Sequence, residues 1–189
     1  MNPNPKMAWN ADRLDMRAFA LAGASLQADD PLNRFERLLA EAHLDAETQF
    51  SALQVHWQAH GEMRPGAKGG APAVWLHLEA RTSMPLTCQR CLGPAETVLV
   101  VDRWFRFVAD EAAAEAEDDH CEEDLLALEP RPSLHELLED ELLMELPLVP
   151  MHEVCPLPVV MQAADPGVGQ EGDGPQRRNP FAELARLKK

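Results

Sequence analysis

Val74-Trp75-Leu76-His77-Leu78-Glu79-Ala80 sets an apolar side chain at every second position, and an apolar run from Glu96 to Val108 follows it. Between them sits Cys88-Gln89-Arg90-Cys91, a tetrad with turn character running into Leu92-Gly93-Pro94. Alternation with period two is the mark of a strand with one face buried. The first run therefore reads as a half-buried strand, and residues 96–108 as a long one with apolar groups on both faces for part of its length. Residues 48–60 also keep period two, with Phe50 and Ala52 on one parity and Leu53, Val55, Trp57 and Ala59 on the other. That phase switch predicts a bulge near Ala52-Leu53. Three strands in succession, two of them tightly connected, favour an antiparallel meander. Parity does not settle whether the curved sheet closes into a barrel-like form.

Working outward, Leu14, Met16, Ala18 and Ala20 alternate with mostly polar neighbours and predict a first short strand. Asp30 offers a capping oxygen and Pro31 suits the first helical position, where no amide hydrogen is needed. Leu32, Phe35, Leu38 and Leu39 then recur at helical spacing, predicting an amphipathic helix over 31–43. The Gly-rich stretch 64–70 reads as a flexible connection. The Ala/Glu/Asp run from Asp110 to Asp124 reads as a solvated loop, and Leu125, Leu126 and Leu128 as a short strand. Ser133-Leu134-His135-Glu136 is a capping box that opens a second helix, which stops before Pro147. Prolines at 147, 150, 156 and 158 make 147–160 extended. The expected fold class is α+β: an antiparallel curved sheet with two packed helices and a flexible C-terminal tail. Residues 1–160 form a single domain, 161–178 a disordered linker, and 179–189 a basic amphipathic tail that is helical only when docked.

The chain has 189 residues, 46% hydrophobic, enough for a core. Its formal net charge of -15 and the absence of tyrosine speak against generic nucleic-acid binding, which rests on phosphate attraction and stacking platforms. An acidic protein more naturally meets a basic partner. Ala18 to Ala24 after Arg17 has the look of a secretion signal, but the run is short and Asp12 and Asp15 interrupt its leading region. The expected location is the cytoplasm, with no membrane association. Four cysteines then point to thiols or metal rather than a disulfide framework.

His152-Glu153-Val154-Cys155 stands about sixty residues beyond the tetrad. Cys88, Cys91, His152 and Cys155 make two close pairs of zinc ligands. A histidine-cysteine pair is a less typical half-site than a second CxxC, and no further cysteine follows in Pro156-Leu157-Pro158-Val159-Val160. The spacing alone favours local packing of the two turn cysteines, with His152 used elsewhere; zinc is the alternative. Thioredoxin-like redox chemistry is disfavoured, because a strand rather than a helix follows the CxxC. Arg90, held at a tight turn, suits a phosphate or carboxylate, or else faces solvent. His120 and Cys121 read as incidental. No phosphate loop, GxSxG or HExxH motif is present, so neither catalysis nor a small-molecule substrate is expected.

Four blocks resemble the YceD family, the large ribosomal RNA subunit accumulation proteins of bacteria and plastids. They are Pro31-Leu32-Asn33-Arg34-Phe35, Leu86 to Leu92 around the tetrad, Glu139 to Pro147 running into Met151-His152-Glu153, and the tail from Asn179. The resemblance implies a non-enzymatic factor supporting synthesis, processing or accumulation of 23S ribosomal RNA and large-subunit assembly. Two mechanisms stay open. In one, Arg90 and the tail residues Arg177, Arg178, Phe181, Arg186, Lys188 and Lys189 contact precursor ribosomal RNA or the large-subunit particle. In the other, the chain is an acidic chaperone or adaptor for a basic ribosomal protein. The charge favours the second and the family's description the first.

Overall fold

In the computed structural model, which describes residues 9–43, 52–66, 71–118 and 120–156, the alternating runs are neighbouring strands of one sheet. Its strands are β1 (Ser25–Pro31), β2 (Gln54–Arg64), β3 (Ala73–Thr87), β4 (Pro94–Val108) and β5 (Asp124–Ala127), lying side by side in chain order. β1 to β4 are antiparallel, and β5 joins β4 in parallel. The fold is α+β as expected, but β1 and β5 are free edges and the sheet is open rather than a barrel. All described residues lie within a unit that runs to Pro156.

The pleat decides what is buried. Val55, Trp57 and Ala59 of β2, Val74, Leu76 and Leu78 of β3, and Leu99, Val101 and Phe105 of β4 share one face and one core. Helices α1 (Met16–Leu21), α2 (Glu36–Ala40) and α4 (Leu134–Met144) bring Phe19, Leu38, Leu138 and Leu142 to that core. The opposite face stays open and carries the apolar half of β4 that alternation alone does not bury, Val98 and Val100.

Four local expectations need correction. Leu14 to Ala20 is not a strand: α1 starts at Met16, with the Asp15 carboxylate accepting from the Ala18 amide at 3.0 Å. Met16, Phe19 and Ala20 are its buried residues, a helical spacing that the shorter alternation masked. The helix predicted over 31–43 is broken into a 3-10 turn, Leu32–Arg34, and α2, with Phe35 non-helical between them. Asp30 does not cap it; its carboxylate is buried in β1, where it accepts from Trp57 Nε1 at 2.7 Å and Arg34 at 2.6 Å. Glu139 of α4 caps α2 instead, accepting from the Arg37 amide at 2.8 Å. The phase switch before Val55 marks the start of β2 at Gln54, and the β1–β2 and β2–β3 registers carry no bulge. The acidic run holds a helix, α3 (Glu111–Asp118), because alanine and glutamate are strong helix formers and Asp110 accepts from the Ala113 amide. Elsewhere β5 forms as expected, and Ser133 caps α4.

α1 lies so close to β2 that only glycine fits beneath it. A Cβ at Gly61 would stand 2.5 Å from Phe19 Cδ1 and 3.1 Å from the Ala20 Cα. Gly61→Ala is expected to lower stability by about 1–3 kcal/mol through overpacking, read by chemical denaturation. Glu141 of α4 offers a second test. Its side chain is buried, and Oε2 lies 3.4 Å from Arg103 Nε without a hydrogen-bond partner among the described residues. Burial pushes its carboxyl above the ordinary range; Arg103 opposes this, while Asp124, Glu145 and Asp140 reinforce it. A raised carboxyl binds its proton more tightly when folded, so ionised Glu141 subtracts stability as pH rises through the folded value. Glu141→Gln is therefore expected to be more stable than the parent at pH 8, with the gap closing in melts run toward pH 4.

Candidate metal centre

β3 ends at Thr87, and the next six residues, Cys88 to Gly93, reverse the chain into β4. The Leu92 amide donates to the Cys88 carbonyl at 2.8 Å, and the Cys88 amide donates to the Gly93 carbonyl at 2.9 Å. Closing so tight a turn puts Leu92 at φ +60°, a left-handed conformation that costs a non-glycine residue about 1 kcal/mol. In return Cys88 and Cys91 are brought to one side of the turn, Cys88 completely buried.

The second half arrives from α4. Pro147 and Pro150 prevent helix and strand alike, so residues 147–156 run irregularly back to the turn. The Gln89 amide donates to the Pro150 carbonyl at 2.9 Å. Arg90 Nη2 donates to the His152 carbonyl, and to that of Glu153 at 3.2 Å. Arg90 is thus engaged within the chain by two backbone carbonyls, a contact other than the phosphate, carboxylate or solvent expected of it. The described residues place His152 beside the turn: its Nδ1 lies 3.4 Å from Cys91 Sγ, and Cys155 Sγ lies 4.0 Å from Cys88 Sγ. The four ligand atoms all fall within 4.8 Å of one another. His152 therefore does not serve elsewhere, the alternative that spacing favoured. All four cysteines of the chain are free thiols, and Cys121 stands apart, against the carbonyls of Asp118 and Glu123.

Tautomer and charge follow from the neighbours. His152 Nε2 lies 2.8 Å from the Pro94 carbonyl, which can only accept, so Nε2 carries a hydrogen and Nδ1 is the ring nitrogen turned toward the sulfurs. Such an outer partner is what orients an imidazole ligand. Burial opposes the Cys88 thiolate, but backbone hydrogen bonds from Cys91, His152 and Arg90, with the His152 side chain, bring its pKa down to about 5. Burial raises the Cys155 thiol, and the Cys91 and Cys88 side chains raise it further. The surroundings thus favour the Cys88 thiolate and resist that of Cys155.

The exposed apolar residues around this centre were not legible as a group. Leu92, Leu148, Val149, Met151 and Val154 are all more than half exposed, and each lies in the turn or in the segment docked on it. Their only sequence signal was an excess of apolar residues in a stretch too proline-rich for regular structure. A second cluster, His77, Glu79 and Asp102, lies on the open sheet face, with His77 Nε2 2.7 Å from Asp102. Glu79 faces the other ring nitrogen at 3.8 Å, so this is an imidazole between two carboxylates rather than a set converging on one point. Arg177, Arg178, Phe181, Arg186, Lys188 and Lys189, with the linker and tail, lie outside the described residues.

Arg90→Ala removes two donors that hold residues 152–153 to the turn. At about 1 kcal/mol for each hydrogen bond, amide exchange over 151–155 is expected to quicken roughly tenfold or more. The global melting temperature should hardly move. Unchanged exchange would refute the latch role.

All but the first three residues of β3, with the turn, β4, α4 and the docked segment, fall inside residues 76–188, which match the family described as "Large ribosomal RNA subunit accumulation protein YceD". The Pro31–Phe35 block lies outside that span. No solved structure was found to match the chain. With more than half of its length matched, and with the cysteine turn inside the match, the chain belongs to the YceD family.

Proposed function

We propose that the protein is a non-catalytic factor that supports accumulation of large-subunit ribosomal RNA by binding a basic protein of the nascent subunit. The observation that carries this reading is the apolar surface of Leu92, Leu148, Val149, Met151 and Val154 on a chain of net charge -15. Exposed apolar side chains gathered in one region mark a docking surface more often than chance scatter does. Glu41, Glu145 and Glu153 lie in or beside the same region. Apolar anchors with acidic neighbours suit a basic protein segment, since electrostatic attraction guides the encounter and apolar burial holds it.

The open sheet face supports RNA less well. Trp104 is stacked by His77 at 4.2 Å between ring centres, and the Arg64 guanidinium lies 3.8 Å over its ring. Arg64 also lies over Trp75 at 4.5 Å. The two aromatic platforms of that face are already engaged, and a base would have to displace a partner to stack there. The family's description names the RNA whose amount depends on the protein, which is compatible with either kind of contact. No helix of the described residues is long and apolar enough to cross a membrane.

Affinity purification of the full chain, with RNase treatment, tests the reading. A basic large-subunit protein should remain bound after RNase. Leu148→Asp with Val154→Asp should reduce its recovery about tenfold or more, given roughly 1–2 kcal/mol for each lost apolar anchor. The same variant should lower large-subunit ribosomal RNA in cells. Loss of every partner on RNase treatment would point to RNA instead, and undiminished recovery with the variant would move the surface elsewhere.

A further inference from the structure

Cys88, Cys91, His152 and Cys155 are brought together from two chain segments that share no secondary structure, and among the described residues their side chains make no hydrogen bond or ion pair with any other titratable side chain. We infer that these four side chains bind one Zn2+ through three sulfurs and His152 Nδ1, closing the turn onto the segment after α4.

Edge lengths decide what the cluster can hold. With zinc–sulfur bonds of about 2.3 Å and a zinc–nitrogen bond of about 2.0–2.1 Å, a regular tetrahedron has sulfur–sulfur edges of about 3.8 Å and a sulfur–nitrogen edge of about 3.6 Å. The chain presents 4.0 Å between Cys88 and Cys155 sulfurs and 3.4 Å between Cys91 Sγ and His152 Nδ1. Both are within a few tenths of an ångström of the required edges. A disulfide needs about 2.05 Å between sulfurs, so the Cys88–Cys155 pair is not bonded. An iron–sulfur cluster places inorganic sulfide and more than one iron among its ligands and needs a wider cage than four atoms lying within 4.8 Å.

Donor type and surroundings agree with the geometry. Three thiolates and an imidazole are soft to borderline donors, which suit zinc and disfavour magnesium or calcium. The imidazole tautomer is already set by the Pro94 carbonyl, and Cys88 is fully buried. Four protein ligands leave no open position for water or substrate, so the site is structural rather than catalytic. The ion would hold Leu148, Val149, Met151 and Val154 against the turn. A role for zinc in partner binding rests on the proposed function; zinc binding itself does not.

Full-length protein purified under reducing conditions without chelator should contain about one equivalent of zinc. Replacement by Co2+ should give the visible absorption of tetrahedral cobalt and a thiolate charge-transfer band, read on the wild-type chain so that no variant need fold. Cys155→Ser and His152→Ala should each lose most of the metal or alter the cobalt spectrum, and Cys121→Ser should keep both. A wild-type chain that holds no zinc and gives no tetrahedral cobalt spectrum overturns the inference. So does a Cys88–Cys155 disulfide in protein handled under reducing conditions, or equal loss from Cys121→Ser. Zinc content of Leu148→Asp with Val154→Asp separates the two proposals: metal retained with partner lost leaves the site standing, and metal retained with partner retained removes only the docking surface.

Discussion

The hairpin of β3 and β4 is the constraint on which the rest depends. Its register runs without interruption from Val74 opposite Phe107 to Thr87 opposite Pro94. Because side chains alternate, a slip of one residue would expose Leu76, Leu78, Leu99 and Phe105 and bury Glu79 and Asp102. Burial therefore holds the register, and the register fixes where the strands end. Thr87 and Pro94 leave a gap that only a tight turn can span, so Cys88 and Cys91 have little freedom in where they point. The position of a chemically distinctive turn is thus set by hydrophobic burial tens of ångströms away along two strands.

Much of that was readable from residues alone. Val74 to Ala80 gave a clean period-two signal because both neighbouring strands cover its edges and one face packs on helices. Residues 96–108 were legible for the same reason, and the capping box at Ser133 found α4. What failed were short elements whose identity is decided by distant partners. α1 has only six residues, too few for its helical period to outweigh an accidental alternation at Leu14, Met16, Ala18 and Ala20. Asp30 and Pro31 look like a helix start, yet the Asp30 carboxylate is held by Trp57 and His135 from distant parts of the chain and by Arg34 four residues on. Burial opposes its charge, but those three hydrogen bonds keep its pKa below the ordinary carboxylate value. The α2 cap comes from Glu139, about a hundred residues away, a distance no local pattern can register.

The candidate centre divides in the same manner. The four ligand types could be named from sequence, since cysteine and histidine in close pairs are rare enough to notice. Their convergence could not, because it depends on α4 returning the chain to the far end of the hairpin. Nor could the role of Arg90, whose donors meet carbonyls that become neighbours only after that return. The histidine tautomer depends on Pro94, a residue whose sequence signal was merely that of a turn.

The segment after α4 shows why convergence of the ligands matters energetically. Fixing one residue's backbone costs roughly 1–2 kcal/mol, and an ordinary hydrogen bond returns about 1 kcal/mol net. Residues 147–156 contain no regular structure, and their largest apolar side chains face solvent. The amide of Gln89, the guanidinium of Arg90 and the His152 ring supply only a few bonds across to this stretch. Proline lowers the ordering cost at three positions, but not at the ligands themselves. Coordination of a structural zinc contributes on the order of 10 kcal/mol or more, the scale that ordering such a segment demands. It would also offset what opposes the Cys155 thiolate, since a divalent ion favours ionised sulfur ligands. A segment whose apolar residues point outward gains nothing from the core, so an anchor of this kind is what allows it to offer those residues to a partner in a fixed arrangement.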